Sequence, residues 1–79
     1  MKKLGFDYVT ISAEEDIIKL LMERDLSMED LKRALAEKYP FIAVRVALSN
    51  LIRRGIVIKV LKNDSKRFHF TLSAKCLQR

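Results

Sequence analysis

Apolar positions along the chain switch from one period to another at Gly55. Before it, Val44, Leu48, Leu51 and Ile52 fall at i, i+4, i+7 and i+8, one stripe that predicts a helix over 42–54. Gly55 follows Arg53 and Arg54, where a C-terminal cap belongs and cations suit the helix dipole. After it, the β-branched run Ile56-Val57-Ile58 with Val60 favours extended chain. Upstream, Met28, Leu31, Leu35 and Tyr39 form a narrow stripe that predicts a helix over 27–39, with Ser27 as N-cap and Asp30 at the capping-box position. Pro40 forces its predecessor out of the α region and ends that helix. Phe41, in the turn, is expected to plug the core between the two helices.

Ser12-Ala13-Glu14-Glu15 reads as a capping box opening a helix over 12–25, with Glu14, Glu15 and Asp16 as its dipole-matched start. Its apolar set, Ile17, Ile18, Leu20, Leu21 and Met22, spans about half the helix circumference, wider than a single core contact requires. Either the helix is sandwiched within the domain or one flank joins a homodimer interface, and the second is the expectation. Residues 1–11 alternate weakly and read as an N-terminal arm or short strand, and Asp25-Leu26 as an extended link.

Residues 56–72 read as a two-stranded hairpin. Pairing 60 with 68, 58 with 70 and 56 with 72 places Ile56, Ile58, Val60, Phe68, Phe70 and Leu72 on one face. That register sets Lys62 opposite Lys66 around the turn-forming Asn63-Asp64-Ser65, and Lys59 opposite His69. Residues 73–79 form a tail. The expectation is an α+β fold, a three-helix core followed by a two-stranded β-hairpin, in a single domain over 1–79.

Charge changes this picture because it is unevenly distributed. Residues 1–44 carry seven Lys/Arg against nine Asp/Glu, a net of −2, whereas residues 45–79 carry nine against Asp64 alone, a net of +8. Such asymmetry points to a polyanion partner on one side of the molecule. With one cysteine, Cys76, no internal disulfide can form, and a reducing, cytoplasmic setting is expected. No run approaches a membrane span. One His, one Cys, no metal-ligand spacing, no Gly-rich phosphate loop and no serine elbow argue against an enzyme, a cofactor, a metal site or a small-molecule ligand.

The order helix, short turn, helix, basic hairpin resembles the winged helix-turn-helix family of DNA-binding domains. The resembling segments are Ser27 to Leu35, Val44 to Val57 and Arg67 to Leu72, and the likeness covers about sixty of the 79 residues. The Leu-x-x-Leu-x-x-x-Gly-Ile-Val segment, with a hairpin ending in Phe-Thr-Leu-Ser, is similar to small bacterial and archaeal transcriptional regulators of the arsenical-resistance and multiple-antibiotic-resistance types. The resemblance implies that the helix over 42–54 enters the major groove of double-stranded DNA and that the hairpin, or wing, meets the backbone or minor groove. Ile42, Arg45, Val46, Ser49, Asn50, Arg53 and Arg54 would then face the groove, where Asn suits adenine and Arg suits guanine. Lys59, Lys62, Lys66, Arg67 and His69 would line the wing as backbone contacts. Ile42, Ala43, Val46 and Ala47 make the front of that helix unusually apolar, so the alternative function is a winged-helix protein-interaction module.

Overall fold

The computed structural model describes residues 4–62 and 67–73, with side chains over 8–61 and 67–73. Among the described residues, three helices, α1 (Leu4–Glu23), α2 (Met28–Leu35) and α3 (Phe41–Arg53), are combined with three strands, β1 (Leu26–Ser27), β2 (Val57–Lys62) and β3 (Arg67–Leu72). The fold is α+β. The strands make one antiparallel sheet in the order β1-β3-β2.

Helix α1 occupies the segment expected to be an arm, and Ser12 sits inside it rather than at its start. The buried residues explain why. Thr10, Ala13, Ile17 and Leu21 recur every three or four positions, so the core-facing stripe runs straight through Ser12 without a break. Packing of that stripe overrides the weak alternation upstream and the cost of Gly5 within a helix, about 1 kcal/mol. Helix α2 keeps its expected start. The Ser27 hydroxyl accepts from the Asp30 N–H while the Asp30 carboxylate accepts from the Ser27 N–H, both at 3.2 Å. The helix ends at Leu35, whose carbonyl accepts from the N–H groups of both Lys38 and Tyr39, and a turn carries the chain to Pro40.

Helix α3 ends at the predicted glycine. The Gly55 N–H donates to the Ile52 carbonyl and the Ile56 N–H to the Leu51 carbonyl, the paired bonds of a Schellman cap. Gly55 has φ +79°, a left-handed conformation that costs an L-residue about 1–2 kcal/mol. The cap fixes where β2 begins, and with it the hairpin register, which differs from expectation by one residue. Val57 pairs with Leu72, Lys59 with Phe70, Leu61 with Phe68 and Lys62 with Arg67; His69 lies opposite Val60 rather than Lys59.

A one-residue shift turns every β2 side chain to the other face. Val57 is buried with Phe70 and Leu72, while Ile58 and Val60 are exposed. The segment is apolar at both parities, so alternation alone could not choose its inward face. The Ser73 N–H, donating to the Ile56 carbonyl, and the Ser73 hydroxyl, donating to the Gly55 carbonyl, hold Ile56 and Gly55 in the joint. The predicted turn Asn63-Asp64-Ser65, Lys66 and the tail beyond Ser73, with Cys76, lie outside the described residues.

A third strand replaces the expected two-stranded wing. Leu26 and Ser27, read as a link, pair with Phe70 and His69 and so make β3 the central strand. Two residues are too short to show a strand pattern; tertiary pairing alone defines them. The core gathers Ile17, Leu21, Leu26, Leu31, Leu35, Val44, Leu48, Leu51, Val57, Phe70 and Leu72. Phe41 is not its plug. It starts α3 at the surface, with the Lys32 ammonium 4.9 Å from its ring centroid.

Candidate nucleic-acid interface

The outward side of α3 is opposite the stripe that packs into the core. Ala43, Val44, Ala47, Leu48 and Leu51 are buried, which leaves residues 42, 45, 46, 49, 50 and 53 along the other side. Ile42, Arg45, Val46, Ser49, Asn50 and Arg53 together line an open groove of about 350 Å³. Six of the seven helix residues singled out from sequence therefore form one contiguous surface. Ala43 and Ala47 were expected among the outward apolar residues, but both are fully buried. The exposed apolar front is thus reduced to Ile42, which is 65% exposed, and the half-buried Val46.

One end of this surface is tied to α1 through Glu14. Its carboxylate accepts from the Asn50 side-chain amide at 3.2 Å and from an Arg54 guanidinium nitrogen at 3.5 Å. Glu14 is only 8% exposed, so it is not the solvated dipole match expected of a helix start. Its partners satisfy a buried carboxylate that would otherwise be costly. Asn50 is thereby held against α1, and the Arg54 charge is partly neutralised. Ion pairs among the described residues engage Arg33, Lys38 and Arg54, and none engages Arg45, Arg53 or Arg67.

The β2–β3 hairpin carries one described lysine beside an aromatic ring. Lys59 lies 4.8 Å from the ring centroid of Phe68, on the face where Leu61 pairs with Phe68. Both Leu61 and Phe68 are about half exposed, so the hairpin extends past the edge of the core. Arg67 is exposed, and the Nδ1 of the half-buried His69 lies 3.4 Å from the Arg67 carbonyl. The Lys62 backbone closes the described part of β2 opposite Arg67, while Lys66 lies outside the described residues.

A second tie fixes α1 to the turn before α3. The Asp16 carboxylate accepts from the Tyr39 hydroxyl at 2.7 Å and from the Lys38 ammonium at 3.0 Å. These two donors, Tyr39 foremost, hold the Asp16 carboxyl below its ordinary value of 3.8. A carboxyl depressed in the folded state contributes stability that is present above the unfolded value and is lost as pH falls through the folded one. The stability gap between the wild type and Asp16→Asn is therefore expected to be constant between about pH 5 and about pH 9 and to close as pH drops below 3.8. Urea midpoints of both proteins across this range measure it.

Sequence reasoning missed Glu14, Leu61 and Phe68 as parts of this surface. Glu14 was legible only once α1 was known to begin before Ser12, which places it on the core side beside Ala13 and Ile17. The Leu61–Phe68 pair depended on the hairpin register. Among the described residues, no group of three or more His, Cys, Asp or Glu side chains is placed to hold a metal ion, and no helix is long and apolar enough to cross a membrane. Compared with protein-family models, curated proteins and solved structures, the chain matches none.

Proposed function

We propose that this protein is a winged helix-turn-helix DNA-binding domain, a small homodimeric transcriptional regulator that reads double-stranded DNA with α3 and steadies itself with the wing. The observation that carries the reading is the joint surface of Arg45, Ser49, Asn50 and Arg53 along one side of α3, in the half of the chain with a net charge of +8. Helix α3 is about 20 Å long at 1.5 Å per residue, a suitable length for a major groove about 12 Å wide. Arg45 and Arg53 supply donors suited to guanine edges, Ser49 suits base or phosphate, and Ile42 and Val46 suit thymine methyls. Asn50 and Arg54, held by Glu14, set the angle between α1 and the reading helix; Lys59, Lys62, Lys66, Arg67 and His69 serve the backbone. Two copies would meet successive major grooves about 34 Å apart.

The roles separate in a panel of duplexes. Arg53→Ala is expected to flatten preference among sequences by about 1–3 kcal/mol at the position it reads, whereas Arg67→Ala weakens all duplexes alike and lowers the salt slope by about 1. Equal flattening by both variants would contradict this division. A second reading rests on the exposed Ile42: a protein partner covering the front of α3. A nuclease-resistant stoichiometric complex, abolished by Ile42→Asp while duplex binding is absent, would favour it.

A further inference from the structure

The inward face of the β2–β3 hairpin continues past the edge of the core. Val57, Lys59 and Leu61 alternate onto one side of β2 and pair with Leu72, Phe70 and Phe68. Val57, Phe70 and Leu72 are buried, whereas the outermost pair on the same face, Leu61 and Phe68, is 53% and 51% exposed. Neither belongs to the core cluster or to the side chains packed against it. A phenyl ring and a branched aliphatic side chain, opposite each other with Cβ atoms about 5 Å apart, thus form a blunt apolar edge.

The surroundings of this edge are cationic. The Lys59 ammonium lies 4.8 Å from the Phe68 ring centroid. Arg67, next to Phe68, is exposed and takes part in none of the described ion pairs. From residue 45 onward Asp64 is the only acid in the sequence. An apolar protein surface would cover these cations without pairing them, at a cost. A nucleic-acid duplex answers both features, with phosphates outside and apolar base faces within. A lipid surface shares that arrangement, but its hold grows with buried apolar area, and two side chains offer little.

We propose that Leu61 and Phe68 are a wedge that enters the minor groove beside the α3 site, partly unstacks one base step and kinks the duplex. The proposal rests on the DNA-binding reading above and adds to it a deformation of the DNA. Apolar side chains of these two types open base steps in this way. Entry of the ring into the stack takes it away from Lys59 and frees the ammonium for a flanking phosphate, so unstacking and charge neutralisation are coupled. Pyrimidine–purine steps unstack most easily, so the wedge selects a TA or CA step without a hydrogen bond to any base.

The test uses the full chain and a duplex of about 20 base pairs, long enough for two successive major grooves. Fluorophores at its two ends report the kink, 2-aminopurine at successive positions reports unstacking, and anisotropy reports binding. At low salt the wild type is expected to shorten the end-to-end distance by the amount of a kink of about 20° or more, and to raise 2-aminopurine fluorescence at one pyrimidine–purine step. Phe68→Ala and Leu61→Ala should abolish both signals and leave the salt slope unchanged, whereas Phe68→Trp should keep them. Ile58→Ala, exposed on the opposite face of β2, should alter none of the three readouts. Replacing the TA step by an A-tract should weaken wild-type binding about tenfold and leave Phe68→Ala indifferent. Straight, fully stacked DNA bound with the expected salt slope overturns the wedge and leaves the DNA-binding reading standing; absence of duplex binding overturns both. A kink that survives in Phe68→Ala, or straight DNA with Phe68-dependent binding to phosphatidylserine vesicles, also overturns the wedge.

Discussion

Replacing Leu51 by Ala is expected to lower the unfolding free energy by about 3 kcal/mol, within the range of about 2–5 for buried Leu-to-Ala changes. Leu51 is fully buried near the end of α3, within the core that joins the helices to Val57, Phe70 and Leu72. Truncation removes apolar contacts and leaves a void that the surrounding side chains fill only in part. For a domain near the low end of the usual 5–15 kcal/mol, this is a large fraction of the total. The position matters further because the Leu51 carbonyl receives the Ile56 N–H in the cap that joins α3 to β2. Ile52→Ala is the control. Its neighbouring side chain is partly exposed, outside the core cluster, and its truncation should cost less than about 1 kcal/mol. Denaturant unfolding of the two variants measures the difference, and equal losses would contradict this account of the joint.

What could be read in the sequence follows from how local its cause was. The Ser27–Asp30 capping box and the Gly55 stop are decided within four residues, and both appear where expected. The α3 stripe was nearly as legible: one turn of helix assigns Val44, Leu48 and Leu51 inward and Arg45, Ser49 and Arg53 outward. What escaped depended on distant partners. Strand β1 exists because β3 lies beside Leu26 and Ser27, and nothing in those two residues announces it. The hairpin slipped by one residue because β2 is apolar at both parities, so the helix cap and Leu72 opposite Val57, not alternation, set its face. The start of α1 was misread because Ser12 and Glu15 imitate a cap. Only the core-facing period through Thr10 and Ala13 shows the helix continuing upstream. The same error concealed Glu14 as the acid that holds Asn50 and Arg54.

Affinity for duplex DNA is expected to fall steeply with salt, and this is the largest effect the charge distribution implies. Neutralising one phosphate releases condensed counterions and contributes a slope of about −0.9 to log K against log salt. The proposal assigns backbone contacts to Lys59, Lys62, Lys66 and Arg67. Arg54 is discounted because Glu14 already engages it. About four phosphates per copy give a slope near −3.6 and a loss of about 150-fold between 50 and 200 mM salt, and a bound pair doubles that slope. Lys59 is the informative member of the set. Its ammonium lies over the Phe68 ring, so contact with phosphate competes with a cation–π interaction worth about 0.5–1 kcal/mol at an exposed site.

The most direct measurement is fluorescence-anisotropy titration of a labelled duplex of about 20 base pairs, one long enough for two successive major grooves, across a salt series at constant pH. The account predicts binding at low salt with a slope of about −3.6 per bound copy, made shallower by about 1 in Arg67→Ala. Absence of binding at low salt, or an affinity that does not change with salt, would contradict it.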